Sequence, residues 1–214
     1  ANLAVLEDNR IVMVRADVPR AVVSLCRGLL SSESLDRATI LKPLEFGVRC
    51  LATLSNSASN CTVIVESGVP QLLRDLCAHE SMSPVVLGNA SVVLMHLALE
   101  PACRTDMLQS GAVEALVELL PRQQLDDKIV ANAARALANL ALEPELRAPL
   151  VDRGAARPLV HLCCNSRAAV VLANSAWALA NLAHDTQSSK QLIQDGVQRA
   201  LLATKRAFGS KLPQ

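Results

Sequence analysis

The sequence predicts an all-α fold in which successive helical units stack on one another as a solenoid. A similar turn recurs along the chain with steps of 51, 43, 43 and 42 residues, at Asp17, Gly68, Gly111, Gly154 and Gly196. A leucine stands fourteen residues before each of these turns, at Leu3, Leu54, Leu97, Leu140 and Leu182. A helical period near 42 residues is typical of units that bury their apolar faces only by stacking on their neighbours.

The composition agrees with a helical core. Half of the 214 residues are hydrophobic (51%), yet the chain has two Phe, one Trp and no Tyr. An aliphatic core suits close packing of helices better than a sheet, in which aromatic and β-branched residues are favoured. About five units of this period account for the whole length.

Charge and cysteine content exclude several classes of function. The 21 basic and 20 acidic residues give a net charge of +1, so we expect neither a nucleic acid nor a membrane as partner. The seven cysteines are an odd number without a C-x-x-C pair, which argues against a disulfide framework and a zinc site. We therefore expect no metal and no cofactor, and a reducing compartment, either the cytoplasm or the cytoplasm and nucleus.

The clearest unit is residues 101–143. Pro101 opens a short helix, because proline is tolerated at the first helical position, and Gly111 ends it by adopting a left-handed conformation. A second helix is predicted over 112–120 from apolar residues at i, i+3, i+4 and i+7. A polar loop over 122–126 precedes a long third helix that ends near Leu142.

The same three-helix pattern extends along the chain. Second helices are predicted at 69–77, 155–163 and 197–203, and third helices at 84–99 and 167–183. The first unit carries about eight extra residues between Leu30 and Phe46, which we place in the loop before its third helix. The predicted divisions are the end of a truncated upstream repeat at 1–3, repeats at 4–57, 58–100, 101–143 and 144–185, and a partial C-terminal capping repeat at 186–214.

Three segments carry a family resemblance. They read Gly-Ala-Val-x-x-Leu-Val-x-Leu-Leu from Gly111, Asn-Ala-Ala-x-Ala-Leu-Ala-Asn-Leu from Asn132, and Asn-Ser-Ala-Trp-Ala-Leu-Ala-Asn-Leu from Asn174. These segments resemble the armadillo-repeat family, and the likeness extends over essentially the whole chain. The resemblance implies a right-handed superhelical α-solenoid of four to five armadillo repeats, with three helices in each unit.

The third helix of the clearest unit carries polar residues apart from its core face. Asn132, Arg135 and Asn139 fall within about 60° of one another on a helix of 3.6 residues per turn. Leu137 and Leu140 lie to one side and form the predicted core stripe. The equivalent sets in the other units are Asn174, Trp177 and Asn181; Asn89, Val92 and His96; and Phe46, Arg49 and Thr53.

Stacked units would align these side chains on one surface, with Asn2, Thr53, His96, Asn139 and Asn181 in a single row. Amide side chains offer both a donor and an acceptor, which is what pairing with an extended peptide backbone requires. The family resemblance implies that third helices line a concave groove. The predicted partner-binding residues are Arg49, Thr53, Asn89, His96, Asn132, Arg135, Asn139, Asn174, Trp177 and Asn181.

The charge of this surface indicates the ligand. The spacing of Trp177 and Asn181 is similar to the peptide-clamping pair of nuclear import adaptors, but the equivalent Trp positions hold Arg49, Val92 and Arg135. Two arginines instead favour a partner segment that carries carboxylates or phosphates. We therefore predict a non-catalytic module that binds an extended acidic or phosphorylated segment of a protein.

Several interpretations stay open at this stage. Asn139 and Asn181 could bond only within the protein, Trp177 could pack between repeats, and Arg49 and Arg135 could be solvated charges. His96 is interpreted as a hydrogen-bonding residue rather than a pH sensor. The other histidines are interpreted as surface residues, namely His79, His161 and His184.

Alternative functions come from different classes. A client-binding domain of a co-chaperone or assembly factor is one, and self-association through an open end of the stack is another. Catalysis is not expected, since Cys163, Cys164 and His161 form the one nucleophile-like cluster and have no orienting third group.

Overall fold

The computed structural model describes residues 6–32, 36–122, 124–184 and 186–209. These residues form fourteen α-helices and a short 3-10 helix at Ala58–Asn60, with no strand among them. The expectations for residues 1–3, including Asn2 in the row of polar side chains, lie outside the described residues. The helices are α1 (Glu7–Arg15), α2 (Val18–Leu30), α3 (Arg37–Leu54), α4 (Cys61–Glu66), α5 (Val69–Ala78), α6 (Pro84–Leu99), α7 (Pro101–Gln109), α8 (Ala112–Leu119), α9 (Asp127–Leu140), α10 (Pro144–Asp152), α11 (Ala156–Asn165), α12 (Ala169–Leu182), α13 (Thr186–Gln194) and α14 (Val197–Gly209).

The chain divides into two compact parts, Ala1–Ala115 and Leu116–Gln214. From here on these two parts are called the first unit and the second unit, and each segment of about 42 residues is called a repeat. In the first unit the long helices α3 and α6 pack against each other, with α2 against α3 and α5 against α6. In the second unit α9 and α12 form the principal helix pair, and α11 packs against both α12 and α14. Each unit is thus built around adjacent third helices, as the three-helix pattern predicts.

The recurring turns have the backbone that their residues indicate. Gly111 has a φ of 86°, and the equivalent glycines also have positive φ. A Cβ added at Gly111 would lie 2.7 Å from Cδ of Arg74, so a side chain there would strain the backbone and displace Arg74. Asp17, with a φ of 60°, is the non-glycine version of the same turn.

A repeated contact fastens the start of one repeat to the end of the preceding third helix. Nδ2 of Asn60 donates to the Leu54 carbonyl oxygen at 3.1 Å. Nε of Arg104 donates to the Ala98 carbonyl at 3.1 Å, and Nε of Arg147 donates to the Ala141 carbonyl at 2.9 Å. Each donor follows its acceptor by six residues. These bonds satisfy carbonyl groups that the end of a helix leaves without intrahelical partners. We call Asn60, Arg104 and Arg147 the clamp residues.

The extra residues of the first repeat mostly lengthen its helices, rather than the loop that the sequence predicted. The segment between α2 and α3 is residues 31–36, only one residue longer than residues 79–83 between α5 and α6. Instead, α2 has 13 residues against 10 in α5, and α3 has 18 against 16 in α6. Asp36 starts α3 early because its carboxylate accepts a bond from the Thr39 backbone N–H.

The predicted core stripe is confirmed. Leu137 and Leu140 on α9 are both buried. Third helices begin and end within a few residues of their predicted bounds, and α6 spans the predicted residues Pro84–Leu99. Across the described segments, no helix combines the length and the apolar character needed to span a lipid bilayer.

Candidate functional site

Two hydrogen bonds align α12 with α9 in the second unit. Nδ2 of Asn174 donates to the Ala131 carbonyl at 2.9 Å, and Nδ2 of Asn181 donates to the Ala138 carbonyl at 2.9 Å. The two donors and the two acceptors are each seven residues apart, which is about two helical turns. The pair therefore fixes both the spacing and the stagger of the two helices.

These bonds change the expected role of the amide side chains. Each Nδ2 group is used inside the protein, as the alternative interpretation of Asn181 proposed. The carboxamide oxygens of Asn174 and Asn181 remain as the acceptors that a ligand could engage. A partner would therefore find acceptors here, rather than a donor and an acceptor at each step.

Arg135 and Trp177 lie between these two anchoring bonds. Trp177 follows Asn174 by three residues on α12, and Arg135 lies between the acceptor residues Ala131 and Ala138 on α9. The stagger places Trp177 and Arg135 at nearly the same height along the helices. Both are exposed, Trp177 by 40%. The neighbouring helices α9 and α12 thus present a cation and an aromatic side chain.

Asn139 was predicted on a surface, and the structure corrects this. Asn139 is only 3% exposed, and its Nδ2 has no hydrogen-bond partner among the described residues. The helical wheel measures direction on one isolated helix, whereas α12 packs along α9 and Asn181 covers the adjoining Ala138 carbonyl. Asn132, on the same helix, is half-buried.

The first unit presents a different set at the equivalent positions. Cζ of the exposed Arg49 lies 4.9 Å from the centroid of the exposed Phe46 ring, within the range of a cation–π interaction. Oγ1 of Thr53 donates to the Arg49 carbonyl at 2.9 Å, so the Thr53 hydroxyl is used within its own helix. Nδ2 of Asn89 likewise donates to the Val85 carbonyl at 2.9 Å.

His96 bonds to the preceding third helix. Its Nδ1 lies 3.0 Å from Oγ of Ser55, which follows the last residue of α3. This contact agrees with the interpretation of His96 as a hydrogen-bonding residue. Burial of the ring also lowers the pKa of His96 below its ordinary value, because the charged form loses hydration.

The lowered pKa of His96 predicts a loss of stability in acid. The unfolded chain takes up the proton as the pH falls through the ordinary histidine pKa of about 6.5, while the folded chain resists protonation until its lower pKa is reached. The free energy of unfolding therefore falls as the pH drops below about 6.5. We expect His96→Asn, which installs the residue found at Asn139 and Asn181, to reduce the fall in Tm between about pH 7 and 5.5.

The exposed His184 provides the control for this experiment. The variant His184→Asn should retain the native pH dependence of Tm, measured by circular dichroism. An unchanged pH dependence in His96→Asn would show that the ring is not held neutral by its surroundings.

The cysteine cluster does not resemble a nucleophilic site. Burial raises the pKa of the Cys163 thiol, which opposes formation of the reactive thiolate. Within the described ranges, no group of three or more His, Cys, Asp or Glu side chains is arranged to hold a metal ion.

Sequence reasoning missed one group of residues. Arg122, His161 and Arg167 line a cavity between two loops of the second unit, although His161 was interpreted only as a surface residue. The two arginines lie 45 residues apart, so no local motif joins them. Arg122 precedes the start of α9 by five residues and Arg167 precedes the start of α12 by two, so the register of the repeats does not align them either.

Comparisons with known proteins agree with this geometry. The model described as "Armadillo/beta-catenin-like repeat" matches residues 100–142 and 143–184. A search of curated proteins returned no significant match.

Similar solved structures extend the likeness over almost the whole chain. Computationally designed armadillo repeat proteins for modular peptide recognition share 22% identity, with a TM-score of 0.77 over 96% of this chain and 86% of theirs. A designed armadillo repeat protein shares 20% identity, with a TM-score of 0.74 over 98% of this chain and 89% of its own. An engineered protein shares 27% identity, with a TM-score of 0.72 over 96% and 87% of the two chains. The all-α fold class predicted from the repeats is confirmed.

Proposed function

Since this chain is an armadillo-repeat protein, we propose that it is a non-catalytic interaction module for an extended segment of a partner protein. The exposed pair of Arg135 and Trp177 on adjacent third helices is the observation that supports this proposal most directly. The structurally similar armadillo repeat proteins were designed for modular peptide recognition, which supports a peptide as the class of ligand.

The chemistry of the pair favours an acidic or phosphorylated segment. The Arg135 guanidinium can form two parallel hydrogen bonds to a carboxylate or a phosphate. The exposed face of Trp177 can stack on an apolar or long side chain of the same segment. Oδ1 of Asn174 and Oδ1 of Asn181 lie on either side of Trp177 along α12 and can accept bonds from peptide N–H groups.

The first unit offers a second contact of the same kind. Arg49 holds its guanidinium over the Phe46 ring, which orients the cation while both side chains stay exposed. An arginine restrained in this way loses less side-chain freedom when it binds an anion. We propose that Arg49 takes an acidic group in the same manner as Arg135.

Reversal of charge at Arg135 tests the proposal. We expect Arg135→Glu to weaken binding of acidic and phosphorylated peptides by about tenfold or more, because attraction is replaced by repulsion. Tm should change little, because the side chain is exposed. Fluorescence anisotropy with a library of extended peptides, varied in acidic and phosphorylated positions, would measure the affinities.

The matched control is Arg199→Glu, which makes the same charge change at an exposed position of α14. Equal weakening by both variants would reflect net charge alone and would contradict a specific role for Arg135. A large loss of Tm in Arg135→Glu would instead assign the side chain to a structural network.

A further inference from the structure

A cavity of about 290 Å³ opens at the edge of the second unit. It lies between the segment that joins α8 to α9 and the segment that joins α11 to α12, near the N-terminal ends of the two third helices. Its volume is at the lower end of the range for small-molecule pockets, and suits one or two side chains. Neither Arg135 nor Trp177 is among its lining residues.

The rim of the cavity is cationic. Arg122 and Arg167 both line it, and Asp127 is the carboxylate among the lining residues. Arg167 is exposed, and no hydrogen bond or ion pair engages it within the part of the chain that the structure describes. The guanidinium of Arg167 therefore contributes a positive charge to the opening.

His161 adds a directed donor to this rim. Nδ2 of Asn165 donates to the His161 backbone carbonyl at 2.8 Å, which fixes the orientation of the amide. The same Nδ2 lies 3.2 Å from Nδ1 of the ring, an arrangement in which Nδ1 accepts a hydrogen bond. With Nδ1 as the acceptor, the ring carries a proton on Nε2, where it can donate to an anion.

The floor of the cavity is apolar. Leu120, Val130 and Val171 line it and are themselves buried, which makes the floor part of the packed core. Leu125, which also lines it, lies in the segment just before α9. A ligand that fills the cavity would thus meet aliphatic surface below and cations above.

The equivalent cavity of the first unit is a natural comparison. It has a volume of about 260 Å³ and lies between the end of α2, the first half of α3 and the segment that precedes α6, lined by residues such as Leu30, Leu44, His79 and Met82. No arginine is among the described residues that line it. The arginines of the second unit are therefore not required to build this kind of cavity.

We propose that the cavity of the second unit binds an anionic group carried on an apolar stem. The chemical class is a phosphate monoester or a carboxylate next to aliphatic carbons, as a segment of a partner protein would present it. Arg122, Arg167 and Nε2 of His161 hold the anion, and the aliphatic floor takes the stem.

Three small probes separate the two parts of this ligand. Butyl phosphate carries both the anion and the stem, inorganic phosphate carries the anion alone, and butanol carries the stem alone. We expect butyl phosphate to bind most tightly in a ¹H–¹⁵N NMR titration of the whole chain. Its largest shifts should fall at the amides of His161, Ser166 and Arg167. Equal binding of inorganic phosphate, or shifts spread over the surface, would overturn the proposal.

The variant Arg167→Gln tests the rim. It should weaken butyl phosphate binding by about tenfold, as expected for loss of a charge-assisted hydrogen bond. Arg199→Gln removes the same charge from the exposed surface of α14 and should bind as the native chain does. Arg135→Glu should also bind the probe normally, which separates this cavity from the peptide surface.

Native affinity in Arg167→Gln with an unchanged Tm would overturn the proposal. If Tm were to fall, Arg167→Lys would keep the charge, and its affinity for butyl phosphate should lie between those of the native chain and Arg167→Gln. Affinity in Arg167→Lys no higher than in Arg167→Gln would also count against an electrostatic role.

Discussion

Replacement of Leu137 by alanine is expected to lower the free energy of unfolding by about 2 to 5 kcal/mol. Leu137 is 1% exposed, and it lies on α9, the helix that packs most extensively with α12 in the second unit. Truncation would remove buried methyl groups and leave a cavity that the neighbouring helices fill only in part. Urea unfolding followed by circular dichroism at 222 nm would measure the change.

Leu142 supplies a matched control two residues beyond the end of α9. It is 42% exposed, so Leu142→Ala makes the same chemical change with far less loss of buried surface. We expect an effect below about 1 kcal/mol for this variant. Similar losses in both variants would contradict the placement of Leu137 in the core.

Replacement of the clamp residue Arg104 by methionine is expected to destabilise the chain by about 2 to 3 kcal/mol. Arg104 is 7% exposed, and besides the Nε bond to Ala98 its Nη2 donates to the Leu99 carbonyl at 3.3 Å. Methionine keeps much of the stem volume but leaves these carbonyls without the charged donor. Thermal and urea unfolding would both report the loss.

Arg147 makes the equivalent bonds from a less buried position. Arg147→Met should therefore cost less, since water can replace the guanidinium at the exposed carbonyl of Leu142. A cost for Arg104→Met no greater than that for Arg147→Met would show that burial does not strengthen the clamp.

The fold was predictable because the same sequence pattern recurs in each repeat. The leucines before each turn and the glycines within the turns recur in register, so an error in one unit is corrected by the others. Leu137 and Leu140 were placed in the core by helical spacing alone, and the structure agrees. The extra residues of the first repeat have no counterpart in the other repeats, and they were assigned to a loop although most of them lengthen α2 and α3.

The candidate site was less predictable, because its features depend on neighbouring helices. A helical wheel shows which side chains share a face, but it does not show that Asn174 and Asn181 donate to the backbone of α9. The burial of Asn139 depends on packing for the same reason. The cavity beside Arg122 and Arg167 forms only when two loops from successive repeats meet.

The clamp residues bear on how such a chain can lengthen during evolution. Each one lies near the start of its own repeat and bonds to backbone carbonyls of the preceding helix, which any sequence provides. A gene segment copied in tandem would therefore encode its own hydrogen bonds to whatever helix precedes it. Growth by duplication would need no matching mutation in the older neighbour.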